Sequence, residues 1–223
     1  MAFLFLHFDQ GVPQLAYTGC AWCSSTMGIS LCQTANRGCC SYFPKFHPVE
    51  LQRMSHSLEG LCVLDSILNH PRTELMDDHI VVRGTYDARM HAKAQNERTI
   101  PDDGYIQDNT VFFRTCPFVR PGLGCTLPAR YRTYVCNFFV CREVLENPAF
   151  QKQIAPYLQE RANYVRFLEW ENNQLLQAIG QKGLTIKNHI REVIELLAGL
   201  PINQYEFPKL EPVEMADGHG KGA

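Results

Sequence analysis

Cysteine is the residue that most constrains this chain. The 223 residues carry ten. Cys20, Cys23, Cys32, Cys39 and Cys40 form one group, and Cys116, Cys125, Cys136 and Cys141 form a second. Cys62 stands alone between them, and none follows Cys141. The density falls short of the about 8–10 % of a disulfide-built miniprotein, and the length allows a hydrophobic core. The apolar start, Met1 to Phe8, is short, lacks a basic region and runs straight into Asp9, so it reads poorly as an export signal. The expectation is a cytoplasmic chain whose thiols stay reduced, so that clustered cysteines are metal ligands before they are disulfides.

Charge and hydropathy narrow the classes further. Lys+Arg number 21 against 23 Asp+Glu, a net charge of −2, which gives no global attraction to nucleic acid. No run of about 18 apolar residues is present, so no membrane partner is expected. With 45 % hydrophobic and 20 % charged residues, a largely disordered chain is excluded.

The expected fold is mainly α, with irregular cysteine-rich loops and few or short strands. Residues 1–145 read as a cysteine-cluster metal-binding domain, 146–210 as C-terminal helices packing on it, and 211–223 as a Gly-rich, disordered tail. His47-Pro48-Val49-Glu50 is a helix start, followed by Leu51, Met54, Leu58, Leu61 and Leu68 at helical spacing. Val111-Phe112-Phe113 reads as a short strand leading into Cys116. Asn147-Pro148 opens a short helix that Pro156 ends. A longer helix then carries Ile154, Leu158, Val165, Leu168, Leu175 and Ile179 as a seam, with Arg161 and Asn172 as polar interruptions. A last helix carries Ile186, Ile190, Val193, Ile194 and Leu197 and stops at Gly199-Leu200-Pro201.

Thiolates are soft, charged ligands suited to zinc and iron–sulfur clusters, and four are normally needed per site. Cys20-Ala21-Trp22-Cys23 has the two-residue gap with which one turn presents two sulfurs to one metal. Gly19, Gly38, Gly122 and Gly124 precede cysteines where such loops turn tightly. Only one such knuckle is present, so spacing supports a metal site without naming the metal. Buried free cysteines, disulfides and a thioredoxin-type pair at Cys20 and Cys23 are the competing readings. From Asn109 to Arg142 there is no Asp or Glu but five Arg: Arg114, Arg120, Arg130, Arg132 and Arg142. Together they point to a role near the cysteines or an anionic ligand. Residues 10–36 carry no charge at all.

Three stretches of the second group, Cys116-Pro117-Phe118-Val119, Gly124-Cys125-Thr126-Leu127-Pro128 and Arg132-Thr133-Tyr134-Val135-Cys136, followed by Cys141, resemble the zinc- or iron-chelating cysteine-cluster family (YkgJ-like, CxxCxxxxCC proteins). Cys20-x-x-Cys23, Gly38-Cys39-Cys40 and the helix after Pro48 are similar to its first half, so the resemblance spans about residues 19–142. Cys32 sits inside a longer gap than the family motif has, and Thr133 stands where the family usually has Pro. The resemblance implies zinc or an iron–sulfur cluster, with Cys20, Cys23, Cys39, Cys40, Cys116, Cys125, Cys136 and Cys141 as the metal-ligand pool. These eight could hold two metals, or one cluster with spare thiols. Cys62, on the helix near Leu58 and Leu61, is expected in the core. His47 is the best accessory ligand among eight scattered His, with helix capping its more ordinary role.

The expected function is a cytoplasmic metal-binding protein with a structural or electron-transfer role. One alternative is an iron–sulfur-dependent enzyme, an oxidoreductase or a protein lysine methyltransferase-like protein. The other is a zinc-structured interaction module whose C-terminal helices dock a protein partner.

Overall fold

Ser57 splits the helix expected over residues 48–69. In the computed structural model, which describes residues 3–9, 12–22, 25–102, 104–210 and 215–216, α1 spans Pro48–Ser55 and α2 Leu58–Leu68. The Ser57 side chain accepts from the Gly60 backbone N–H at 3.0 Å, capping α2 as a fresh helix. Gly60 lets the two helices meet: a Cβ there would lie 2.2 Å from the Met54 carbonyl oxygen. The break also rotates the apolar face. Leu64 and Ile67 are buried, while Leu58 is 80 % exposed and Leu61 points outward with it. Cys62 is accordingly exposed rather than in the core.

The remaining helices are α3 Ala88–Glu97, α4 Tyr134–Asn137, α5 Arg142–Leu145, α6 Pro148–Gln181 and α7 Ile190–Gly199. Helix accounts for 49 % and strand for 12 %, in short strands and small sheets, so the fold is mainly α with irregular regions.

The strands are β1 Phe3–Asp9, β2 Val12–Tyr17, β3 Lys45–Phe46, β4 Thr73–Leu75, β5 Ile80–Val82, β6 Thr85–Tyr86, β7 Arg114–Thr115, β8 Val119–Arg120, β9 Gly124–Cys125 and β10 Met215–Ala216. All pairings are antiparallel: β10-β1-β2, β3-β5-β4, β6-β7 and β8-β9. The apolar start is thus a hairpin strand. Within the expected tail, Met215 and Ala216 pair with β1, and the rest of 211–223 lies outside the described residues. Asn109–Phe113 forms a 3-10 turn in place of the expected strand, with Phe112 and Phe113 fully buried.

One long helix, α6, replaces the expected pair. Asn147 caps it, accepting from the Ala149 N–H at 3.0 Å, and Pro156 lies inside it. The helix survives the lost hydrogen bond because Phe150, Ile154 and Tyr157 bury one continuous face across the proline. Ile154, Leu168, Leu175 and Ile179 of the seam are buried in the protein's own core, against α1 and α7. Its polar interruptions have partners. Asn172 Oδ1 accepts from the Val49 N–H at 2.9 Å, and Arg161 Nη1 donates to the Phe138 carbonyl at 3.2 Å. Beyond α7, Tyr205 and Phe207 lie across α6 against Tyr164, and Asn203 donates to buried Glu171 at 2.8 Å. The core therefore runs from β1 through α1 and α6 to α7, and the cysteine loops sit at its side.

Candidate metal centre

The cysteine loops are tied together by backbone hydrogen bonds. The Cys116 N–H donates to the Cys40 carbonyl at 2.9 Å, and the Gly122 N–H to the Asn36 carbonyl at 3.1 Å. Cys20 lies in a 3-10 turn, Thr18–Trp22, directly after β2. Cys39 and Cys40 follow Gly38, whose φ of 55° suits glycine. The hairpin β8-β9 sets Cys125 opposite Val119, and it turns through Gly122 and Gly124 at φ 76° and 96°. Cys136 sits in α4, where the buried Thr133 hydroxyl donates to its Sγ at 3.4 Å. Cys141 heads α5. Cys23 lies outside the described residues.

Two neighbourhoods of thiols result. In the first, burial pushes the Cys116 thiol up to about 12, and Cys136, Cys125 and Cys40 add to the rise. Burial likewise pushes Cys136 up to about 11, with Cys125 and Cys40 contributing. In the second, Cys39 feels both Cys20 and Cys141. Burial, the Glu143 carboxyl and Cys20 hold Cys141 up at about 11. Cys39 and Cys40 join the sets: a hydrogen bond between their side chains lowers Cys40 to about 7 and raises Cys39, with Arg37 and Arg132 also favouring the Cys40 thiolate. Packed thiols of this kind stay protonated unless a cation takes the place of their protons, which is what a metal does. Among the described residues, no group of three or more His, Cys, Asp or Glu side chains is placed to hold a metal ion as the side chains lie. The sulfurs of each set are within electrostatic reach of one another, not drawn around a point.

A cavity of about 930 Å³ opens beside them, walled by Cys20, Cys39, Cys40, Cys136, Cys141 and Arg37 among others. Arg37 is the residue the cysteine pattern does not reveal. It is 2 % exposed, and its guanidinium donates to the carbonyls of Gly38, Ile29 and Val111 at 2.6, 2.9 and 2.8 Å. Its one sequence signal is that it is the first charge after the uncharged run 10–36. Cys32 belongs to neither set. Its Sγ is 3.1 Å from Ser30 Oγ and 3.2 Å from Thr115 Oγ1. Burial raises its thiol, but those contacts and Arg37 outweigh it and leave it lowered.

The acid-free arginine stretch is less unpaired than its sequence suggests, because acids from outside it fold back. Arg114 pairs with Asp108 at 3.1 Å, Arg142 with Glu146 at 2.7 Å, and Arg130 with Glu59. Arg132 is the one near the thiols, felt by both Cys40 and Cys136. His47 stands at the head of α1, where its N–H donates to Glu50 at 2.8 Å, and its ring lies 5.3 Å from that of His79. Among the described residues no helix is long and apolar enough to cross a membrane. Compared with family models, curated proteins and solved structures, the chain finds no match in any of the three.

Proposed function

We propose that this is a metal-binding protein that holds zinc or an iron–sulfur cluster through its clustered cysteines, in a structural or electron-transfer role. The observation that supports this reading is the convergence of seven thiols, from six separate stretches of chain, beside two arginines. Cys40, Cys116, Cys125 and Cys136 supply an all-sulfur donor set of the number that tetrahedral zinc takes. Arg37 and Arg132 offset part of the negative charge that the thiolates bring. When bound, a metal supplies either a fixed point for irregular loops or a redox centre. Such thiols persist in a reducing compartment, which fits a cytoplasmic location.

The resemblance to the cysteine-cluster family points the same way. Protein purified without oxygen is expected to carry stoichiometric zinc or iron, colourless for zinc and brown for an iron–sulfur cluster. Metal analysis that finds neither overturns the reading.

The cavity favours a second reading, an iron–sulfur enzyme of the oxidoreductase or protein lysine methyltransferase-like kind, since it gives a small substrate room beside Cys39 and Arg37. Saturable binding of S-adenosylmethionine, or a reversible redox change of the centre, supports that reading. Absence of both removes it. A protein partner on the C-terminal helices would have to dock outside Ile154, Leu168, Leu175 and Ile179 of the α6 seam, which are buried internally.

A further inference from the structure

We propose that the cavity is a binding site for a small organic monocarboxylate with an apolar body. The carboxylate sits against the turn that carries Arg37, and the body sits against Leu4, Leu15 and Val144. The site goes beyond both readings above and rests on neither, because no thiol is needed to hold this ligand.

The cavity, of about 930 Å³, is of the size that small-molecule sites have. Its wall offers two kinds of surface. One is the edge of the main core, where Leu4 and Val144 are buried and Leu15 and Val140 pack beside them. The other is the Arg37 turn, whose guanidinium reaches the Val111 carbonyl at 2.8 Å, next to the separate small core of Phe112 and Phe113. One ligand can therefore meet apolar surface and a cation together.

Arg37 decides the sign of the ligand. Among the described residues of the wall it is the only Arg, Lys, Asp or Glu, and it is 2 % exposed. The groups that feel its charge are the thiols Cys32, Cys39 and Cys40, with no carboxylate among them. Three of its N–H groups donate to backbone carbonyls, which bring no opposite charge, and its Nε has no partner among the described residues. A buried charge left with an unmatched donor is costly, and an anionic acceptor relieves that cost. A single guanidinium matches a monoanion, whereas a phosphate carries more charge than one cation balances.

The backbone adds donors at the same place. Asn36 and Gly38, both at φ 55°, stand on either side of Arg37. Such an alternation turns successive N–H groups into a concavity that suits an anion. The N–H groups of Gly38 and Cys39 have no acceptor among the described residues. The stretch 10–36, which gives the wall Leu15, Ser30 and Ala35, carries no acid to compete.

The test titrates the full chain with phenylbutyrate by calorimetry. Phenylbutyramide is the uncharged twin, and inorganic phosphate is an anion without an apolar body. One saturable site per chain is expected for the acid. The amide should bind about tenfold more weakly, the scale of one charge-assisted hydrogen bond, and phosphate should not displace the acid. Ala35→Glu sets a competing carboxylate on the wall at an exposed position, two residues from Arg37. It should weaken the acid several-fold, while Ala35→Gln binds as the wild type does. Arg37→Met should abolish saturable binding. If losing three carbonyl bonds unfolds that variant, A35E against A35Q decides. No saturable binding of the acid, equal affinity for acid and amide, displacement by phosphate, equal binding by A35E and A35Q, or wild-type affinity in a folded R37M each overturns the proposal. Metal analysis of the same samples keeps the two questions apart: metal with no acid bound removes this site alone, and acid bound without metal removes only the metal-binding reading.

Discussion

The carbonyl of Cys40 accepts the N–H of Cys116 at 2.9 Å, so a backbone contact, and not only sulfur, holds the two cysteine segments together. The strand pair that delivers Cys116 passes close to Gly84, where an added Cβ would stand 1.9 Å from the Thr115 carbonyl oxygen. Gly84→Ala must therefore push β7 away from β6. We expect a loss of about 1–3 kcal/mol from this overpacking, with metal content falling in parallel because Cys116 follows directly. Thermal unfolding and metal analysis on the same sample check both. An unchanged midpoint with full metal content would show that β7 does not position the cysteine.

Glu50 is fully buried and its carboxyl is pushed up to about 7 by burial, against the partial relief of Arg53 and backbone donors. The folded protein thus holds a proton there that the unfolded chain releases at ordinary carboxylate pH. The stabilising contribution is complete below that range and is lost as pH rises to about 7. The loss amounts to about 3 kcal/mol if the whole shift is expressed. Glu50→Gln keeps an oxygen for the His47 N–H and removes the ionisation. It is expected to flatten the fall in urea midpoint between pH 5 and pH 8, and an unchanged slope would place the pH dependence elsewhere.

Pro156 costs α6 one hydrogen bond to the Lys152 carbonyl. Pro156→Ala restores the donor, at the expense of a freer unfolded chain. The net expectation is a gain of about 1–2 kcal/mol, with metal content unchanged. A drop in the melting midpoint would mean that the proline shapes the helix productively.

Leu58 and Leu64 look alike in sequence and differ in burial, at 80 % and 2 % exposed. Leu64→Ala should cost about 2–5 kcal/mol, while Leu58→Lys should stay within about 0.5 kcal/mol. Equal costs would contradict the break at Ser57.

Much of the helical part was legible because its signals are local. Asn147-Pro148 and the three- and four-residue apolar steps of α6 and α7 are properties of one segment at a time. Pro156 misled because tertiary burial of Phe150, Ile154 and Tyr157 overrides a local breaker. Leu58, Leu61 and Cys62 misled because one serine cap rotated the helix face. The β1-β2 hairpin is not legible in the apolar start alone, because what makes Phe3–Asp9 a strand is its pairing with Val12–Tyr17. At the site, spacing identified the cysteines as a pool but not their grouping, since the thiols that meet are remote in sequence. Arg37 has no motif around it, and its importance comes from burial alone.

The two thiol neighbourhoods are nested along the chain: Cys39 and Cys141 bracket Cys40 and Cys136 as an outer pair around an inner one. Nested closures need no threading and favour an order of assembly. Once Cys40 and Cys136 are drawn together, Cys39 is the adjacent residue on one side and only four residues separate Cys136 from Cys141 on the other. The entropy of closing the long outer loop has then largely been met already. The outer pair is therefore expected to come together only after the inner one has closed, so a newly made chain assembles this face from the inside outwards.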